Sequence, residues 1–119
     1  MEINQQAILQ NFLTEAREIL DQTEHGLVVL ENHLGDEETL QSIFRGAHTL
    51  KGNALALGFS VMAEFAHALE DLLEQLRKRE ISVTPELITL LLQATDVLRQ
   101  LLTAAMEGHE GLTEAQRAC

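Results

Sequence analysis

The spacing of its apolar residues constrains this chain most: they recur at steps of three and four through nearly the whole length. That period puts them on one face of an α-helix, whereas a half-buried strand needs strict alternation. Runs of β-branched residues are absent, and proline occurs once, at Pro85. Four segments follow. The first spans about residues 4–33, with Ile8, Phe12, Ala16, Ile19, Leu20, Leu27 and Leu30 on its stripe; Gly26 interrupts it as a candidate bend and Gly35 ends it. The second covers about residues 37–57, with Leu40, Ile43, Phe44, Ala47, Leu50 and Ala54 facing inward and Gly58 as its stop. Ser60 opens the third as a candidate N-cap. That segment carries Met62, Phe65, Ala66, Leu69, Leu72, Leu73 and Leu76, and closes on Arg77-Lys78-Arg79, where cations complement the helix dipole. The fourth starts with Thr84 as N-cap and Pro85 at the first helical position. Its stripe is Leu87, Leu90, Leu91, Ala94, Leu98, Leu101, Leu102 and Ala105, and Gly108 closes it.

Short connections between four long amphipathic segments make an all-α, antiparallel up-down four-helix bundle the simplest arrangement. A length of 119 residues suits one domain, here residues 1–108. Residues 109–119 are expected as an extension, with a short fifth helix at 110–118. The abrupt ending Ala115-Gln116-Arg117-Ala118-Cys119 fits a piece of a longer chain that continues into a linker or further helix. Only four aromatics are present, all Phe, so the core must be aliphatic. No second apolar face is evident in the pattern.

Composition removes several classes of function. A net charge of −11 opposes nucleic-acid binding, which needs a basic face. No apolar run approaches the ~18 residues of a membrane span, and Met1-Glu2-Ile3-Asn4 lacks the order of a signal peptide. The one cysteine, Cys119, can form no internal disulfide. These features predict a cytoplasmic domain with no nucleic-acid partner and no membrane insertion.

The charge is unevenly spread. Residues 39–63 hold no Asp or Glu, where the overall composition would place about four. Within this gap lie Arg45, His48 and Lys51 in steps of three. On a helical wheel with Leu40 at the origin, Lys51 falls near ~20°, His48 near ~80°, Gly52 near ~120° and Arg45 near ~140°. His48 thus occupies the shoulder of the helix. Gly52, one turn away, takes no space beside the imidazole and so opens a path to it. The competing possibility is that Gly52-Asn53 ends the helix early; the apolar stripe running on to Ala54 and Leu57 favours continuation.

That setting suits a histidine that accepts a phosphoryl group. The attacking ring nitrogen must be neutral, and a carboxylate on the other ring N–H selects that tautomer. A cation and an absence of neighbouring acid help to receive roughly two negative charges. Lys51 answers the charge requirement. The carboxylate must come from another helix, and Glu70 on the third segment is the candidate, with His67 three residues away lining the same patch; Ala63 and Ala66 would let the second and third helices approach. Alternatively, His67 and Glu70 form a solvated pair on an exposed face. A metal centre from His48, His67 and Glu70 is the rival use, but no His-x-x-x-His or cysteine pair exists and Lys51 would repel the ion. His25, His33 and His109 lie near helix interruptions and are expected in solvent. Gly-rich phosphate loops, Gly-x-Ser-x-Gly elbows and Cys/His nucleophile pairs are missing. The domain therefore should not act as a complete enzyme, and no cofactor of its own is expected.

The residues Phe44-Arg45-Gly46-Ala47-His48-Thr49-Leu50-Lys51-Gly52-Asn53-Ala54, followed by Gly58-Phe59, resemble the signature of histidine phosphotransfer (HPt) domains. Phe12 to Leu20 and Phe65 to Leu73 are similar to the first and third helices of the N-terminal phosphotransfer domain of chemotaxis histidine kinases of the CheA type, a likeness covering about residues 8–107. The resemblance implies that His48 takes phosphate from an ATP- and magnesium-using kinase catalytic domain and gives it to an aspartate of a response regulator receiver domain. It also implies that Glu70 bonds the His48 ring while Lys51 and His67 assist. Asn53 stands where the family usually has a small residue, a departure with consequences for docking. Two other functions fit the same sequence: a free-standing relay between receiver domains, and a docking bundle that transfers nothing.

Overall fold

The computed structural model describes residues 5–33 and 35–118, with side chains described through residue 107. Four helices form: α1 (Gln5–Asn32), α2 (Glu37–Leu57), α3 (Ser60–Arg77) and α4 (Pro85–Ala118). Each packs on its chain neighbours and α4 returns to α1, so the bundle closes as a ring of four. Its centre is aliphatic: Leu20, Leu27, Leu30, Leu50, Leu73, Ile88, Leu91 and Leu98 are all buried. The single aromatic contact between rings among the described residues, Phe12 with Phe59 at 5.5 Å between centroids, closes one end of the bundle.

The helix ends follow from local chemistry. Gly58 adopts φ 83°, and α2 stops there with Gly58 N–H donating to the Leu55 carbonyl and Phe59 N–H to the Ala54 carbonyl. These are the two bonds of a Schellman cap, and the left-handed residue it needs is cheapest as glycine. The same pair of bonds ends α3, where Arg79 takes φ 62°. Nothing in the sequence marked an arginine for that conformation. At the start of α4 the Thr84 hydroxyl accepts from Leu87 N–H at 3.1 Å, as an N-cap should.

Several expectations are corrected. Ser60 is the first residue of α3 and not its cap; Phe59 occupies the cap position and no side chain bonds the helix start. Gly26 does not interrupt α1, which runs through it from Gln5 to Asn32. A Cβ there would lie 2.7 Å from Ile43 Cγ2, so the glycine lets α1 and α2 come together. Gly108 does not end α4, whose backbone is helical to Ala118, and residues 110–118 continue it without forming a separate fifth helix. Ile8 is exposed. In α4 the buried stripe is Ile88, Leu91, Thr95, Leu98 and Leu102, and Leu90 is 52% exposed. Leucines cover more than one side of α4, so periodicity could not choose the inner one. Packing against the other helices chooses it, and Arg99, which pairs with Asp21 at 2.9 Å and with Glu24 at 2.6 Å on α1, is consistent with that rotation. Thr95 tolerates burial because its hydroxyl donates to the Leu91 carbonyl at 2.9 Å.

α4 also departs from the expectation that no stretch suits a membrane. Among the described residues it alone is long and apolar enough, over Pro85–Glu107 with mean hydropathy 1.2, to cross one by length and composition. In this fold its inner stripe supplies a wall of the core instead.

Candidate functional site

Helix α2 is held to the core by Ala47 and Leu50, both buried, and His48 lies between them in sequence on the outer shoulder. The imidazole is 64% exposed. Facing it from α3 is Glu70, whose side chain is only 10% exposed although its charge would ordinarily keep it in water. Ala63 and Ala66, both buried, supply the close helix contact that carries Glu70 across.

The carboxylate is divided between two partners. Oε2 lies 2.5 Å from His48 Nδ1, and Oε1 lies 2.7 Å from Lys51 Nζ. Oε1 is closed to solvent and has no other partner among the described residues. Burial pushes the Glu70 carboxyl up, but the hydrogen bonds from Lys51 and His48, reinforced by the Lys51 charge, outweigh it and hold the group below its ordinary value. Glu70 is therefore ionised at neutral pH and can only accept. The proton in its bond to His48 must belong to the ring, so Nδ1 carries the hydrogen, and in the neutral imidazole Nε2 is the nitrogen that keeps its lone pair. No bond to Nε2 occurs among the described residues, and it faces solvent on an exposed ring.

Gly52 faces open space one turn from His48, where a Cβ would meet nothing within 4 Å, the imidazole included. α2 passes through Gly52 and Asn53 unbroken to Leu57. Lys51 has a more specific task than charge alone suggested: its ammonium is spent on Glu70, which it fixes in place beside His48. Two of its three N–H donors remain.

Not every candidate joins the cluster. His67 is exposed and sits 3.6 Å from Asp71, its neighbour one turn along α3; no contact joins it to His48. Arg45 is exposed and borders an open groove of about 610 Å³ between α1 and α2, together with His25 and Ser42. His25 and His33 are exposed, while the His109 side chain lies outside the described residues. Sequence reasoning missed Glu15, which accepts a hydrogen bond from the Asn53 amide and so ties α1 to α2 beside the site. The position of Asn53, turned from His48 toward α1 on the helical wheel, was the available signal.

The geometry provides a ring nitrogen that is nucleophilic, exposed and held in one tautomer. The grooves that open on the bundle among the described residues are not lined by His48. Comparison with known proteins gives this arrangement its family. The family model described as Hpt domain matches residues 7–108. The chain is 39% identical over 104 residues to the chemotaxis protein CheA of Klebsiella aerogenes, covering 87% of this chain and 16% of that protein. It is 38% identical over 97 residues to the sensor histidine kinase CheAY of Helicobacter pylori, covering 82% and 12%. The chain thus spans less than a fifth of these relatives. Among solved structures, the CheA phosphotransferase domain from Thermotoga maritima superposes with a TM-score of 0.77 at 34% identity, covering 82% of this chain and 93% of that one. The phosphorylated P1 domain of CheA3 in complex with CheY6 from R. sphaeroides gives a TM-score of 0.77 at 32% identity, covering 94% of both chains. With the signature on α2, the closed four-helix ring and these relatives in agreement, the chain belongs to the Hpt domain family, in the branch formed by the phosphotransferase domains of CheA.

Proposed function

We propose that this domain is the phosphoryl carrier of a two-component chemotaxis system, with His48 Nε2 as the atom that carries the group. The observation that supports it is the bond from His48 Nδ1–H to an ionised Glu70, which leaves Nε2 unprotonated on an exposed ring. The kinase catalytic domain of the same signalling protein brings ATP and magnesium. The Nε2 lone pair forms the new N–P bond while the bond from the γ-phosphorus to the bridging oxygen breaks, and the leaving ADP takes the electron pair. Positive charge develops on the ring, and Glu70 stabilises it through the Nδ1–H bond, as the carboxylate of a catalytic triad does for its imidazole. In the second step a receiver-domain aspartate oxygen attacks phosphorus, the N–P bond breaks, and its electrons return to Nε2. Lys51 keeps Glu70 ionised and oriented in both steps. The CheA relatives and the partnership in which one neighbour was crystallised favour this role over a free-standing relay. We place the domain in the cytoplasm, where ATP and receiver domains are available.

Incubation with a CheA catalytic domain and labelled ATP should give acid-labile, base-stable label that passes to a receiver domain. His48→Gln should take up none, with the bundle still folded by circular dichroism. Equal labelling of that variant would overturn the assignment by placing the label on another residue, whereas no label on the wild type would leave the docking bundle as the surviving reading.

A further inference from the structure

Leu55 stands 61% exposed on α2, seven residues beyond His48. One exposed leucine is ordinary on a protein surface; the position of this one is not. Seven residues are two turns, about 10.5 Å along the axis, and bring Leu55 to within about 20° of the line of the imidazole. Between them lies Gly52, which presents bare backbone to open space. Ala56, also exposed, continues the strip and borders a groove of about 280 Å³ that Ile8 lines from α1. The surface of α2 C-terminal to His48 is therefore low, apolar and uncharged, while Arg45 stands about one turn away on the N-terminal side. α2 carries no acid after Glu38. The acids at the borders belong to other helices: Glu15, held by the Asn53 amide, and Glu64, exposed on α3.

We propose that Leu55 is a docking residue for the receiver domain, an inference that rests on the reading of His48 as the phosphoryl carrier. Transfer from His48 requires an aspartate oxygen to come within about 3–3.5 Å of the phosphorus. An aspartate side chain is short, so the receiver's own surface must settle on α2 around the ring. The kinase stands differently, because it reaches the ring through the triphosphate of its nucleotide, which spaces protein from protein. Even a transient contact that buries about 500 Å² on each partner extends about 12–13 Å from its centre. Centred on His48, such a contact covers Leu55. Removing the leucine from water there is favourable. A strip without acids spares an aspartate-bearing surface from repulsion, and Arg45 attracts it. Leu55 lies two turns from the reacting nitrogen, so it acts on affinity for the receiver and not on the chemical step.

Titrating the unphosphorylated, isotope-labelled domain with a CheY-type receiver domain tests the docking by NMR without any transfer. The backbone signals of Gly52, Leu55 and Ala56 should shift together with that of His48. Leu55→Ala should weaken binding by about threefold to tenfold in Kd, and Leu55→Glu by more. Leu55→Met should stay close to wild type, with helicity unchanged in all three. Transfer from labelled His48 should show the same rise in half-saturating receiver concentration with the maximal rate held within about twofold, the pattern of lost uniform binding. Labelling by the kinase catalytic domain should not change. No receiver binding by the wild type, unaltered affinity in Leu55→Glu, or a fall in maximal rate in place of affinity would each overturn the proposal. So would a loss confined to kinase labelling, which would make the kinase the occupant. Absence of label on the wild type would overturn the carrier reading instead, and the titration would still judge the docking.

Discussion

Replacing Lys51 by methionine isolates what the ion pair beneath the site is worth. Methionine keeps an unbranched stem and deletes the ammonium. Glu70 Oε1 is shielded from water and Lys51 is its partner at 2.7 Å, so the variant strands a desolvated carboxylate oxygen. Leaving such an acceptor unpaired costs about 1–3 kcal/mol. The pH dependence gives a sharper signature than the magnitude. Glu70 sits below its ordinary value of 4.5 in the folded wild type, so the unfolded chain binds more protons in that range and stability rises with pH. The contribution is present above the unfolded value and disappears as pH falls through the folded one. Without Lys51, the largest opposing influence, burial, is answered by His48 alone, and the advantage shrinks or reverses. The gap between wild type and Lys51→Met in urea unfolding should be widest at neutral pH. It should close under acid conditions, where Glu70 is protonated in both proteins. A gap that stays constant with pH, or one below about 0.5 kcal/mol at neutral pH, would refute the ionised, Lys51-dependent state of Glu70.

Three further outcomes are expected. Gly52→Ala should stabilise the bundle by about 0.5–1 kcal/mol, because alanine is the better helix former and the added methyl meets nothing. It should nonetheless slow labelling of His48; thermal melting and transfer kinetics on the same sample test the opposition, and unchanged kinetics would remove access from the role of Gly52. Glu70→Gln should lower the transfer rate by about tenfold or more while the bundle stays folded, and nitrogen NMR should show the His48 tautomers redistributed; an unchanged rate with an unchanged tautomer ratio would exclude Glu70 from the mechanism. Gly26→Ala should destabilise by about 1–3 kcal/mol despite the better propensity, since its Cβ would press on Ile43; a rise in melting temperature would show that α1 and α2 can separate at little cost.

The helices were legible because their signals are local. Pro85 after Thr84, the glycine at position 58 and the inward residues of α2 each declare themselves within one or two turns. The pairing of His48 with Glu70 was also within reach, since spacing, charge and resemblance converged on it. What escaped depends on other helices. The rotation of α4 depends on the helices it packs against, as the pairing of Arg99 with Asp21 and Glu24, residues far away in the chain, reflects. The burial of Gly26 depends on Ile43, and the partner of Lys51 depends on how closely α3 approaches. His67 shows the reverse error: closeness in sequence to Glu70 suggests a place in the patch, yet on the helix surface the ring turns to Asp71.

The bond between helices that selects the tautomer makes the reactivity of His48 a property of the tertiary structure. A histidine free in water carries its proton mostly on Nε2, the very nitrogen that must attack. A peptide copied from α2 would hold the whole motif and still present the blocked form in most of its molecules. In the bundle, Glu70 reverses that preference. Any breathing motion that parts α2 from α3 would lower the share of rings with a free Nε2, and re-docking would restore it.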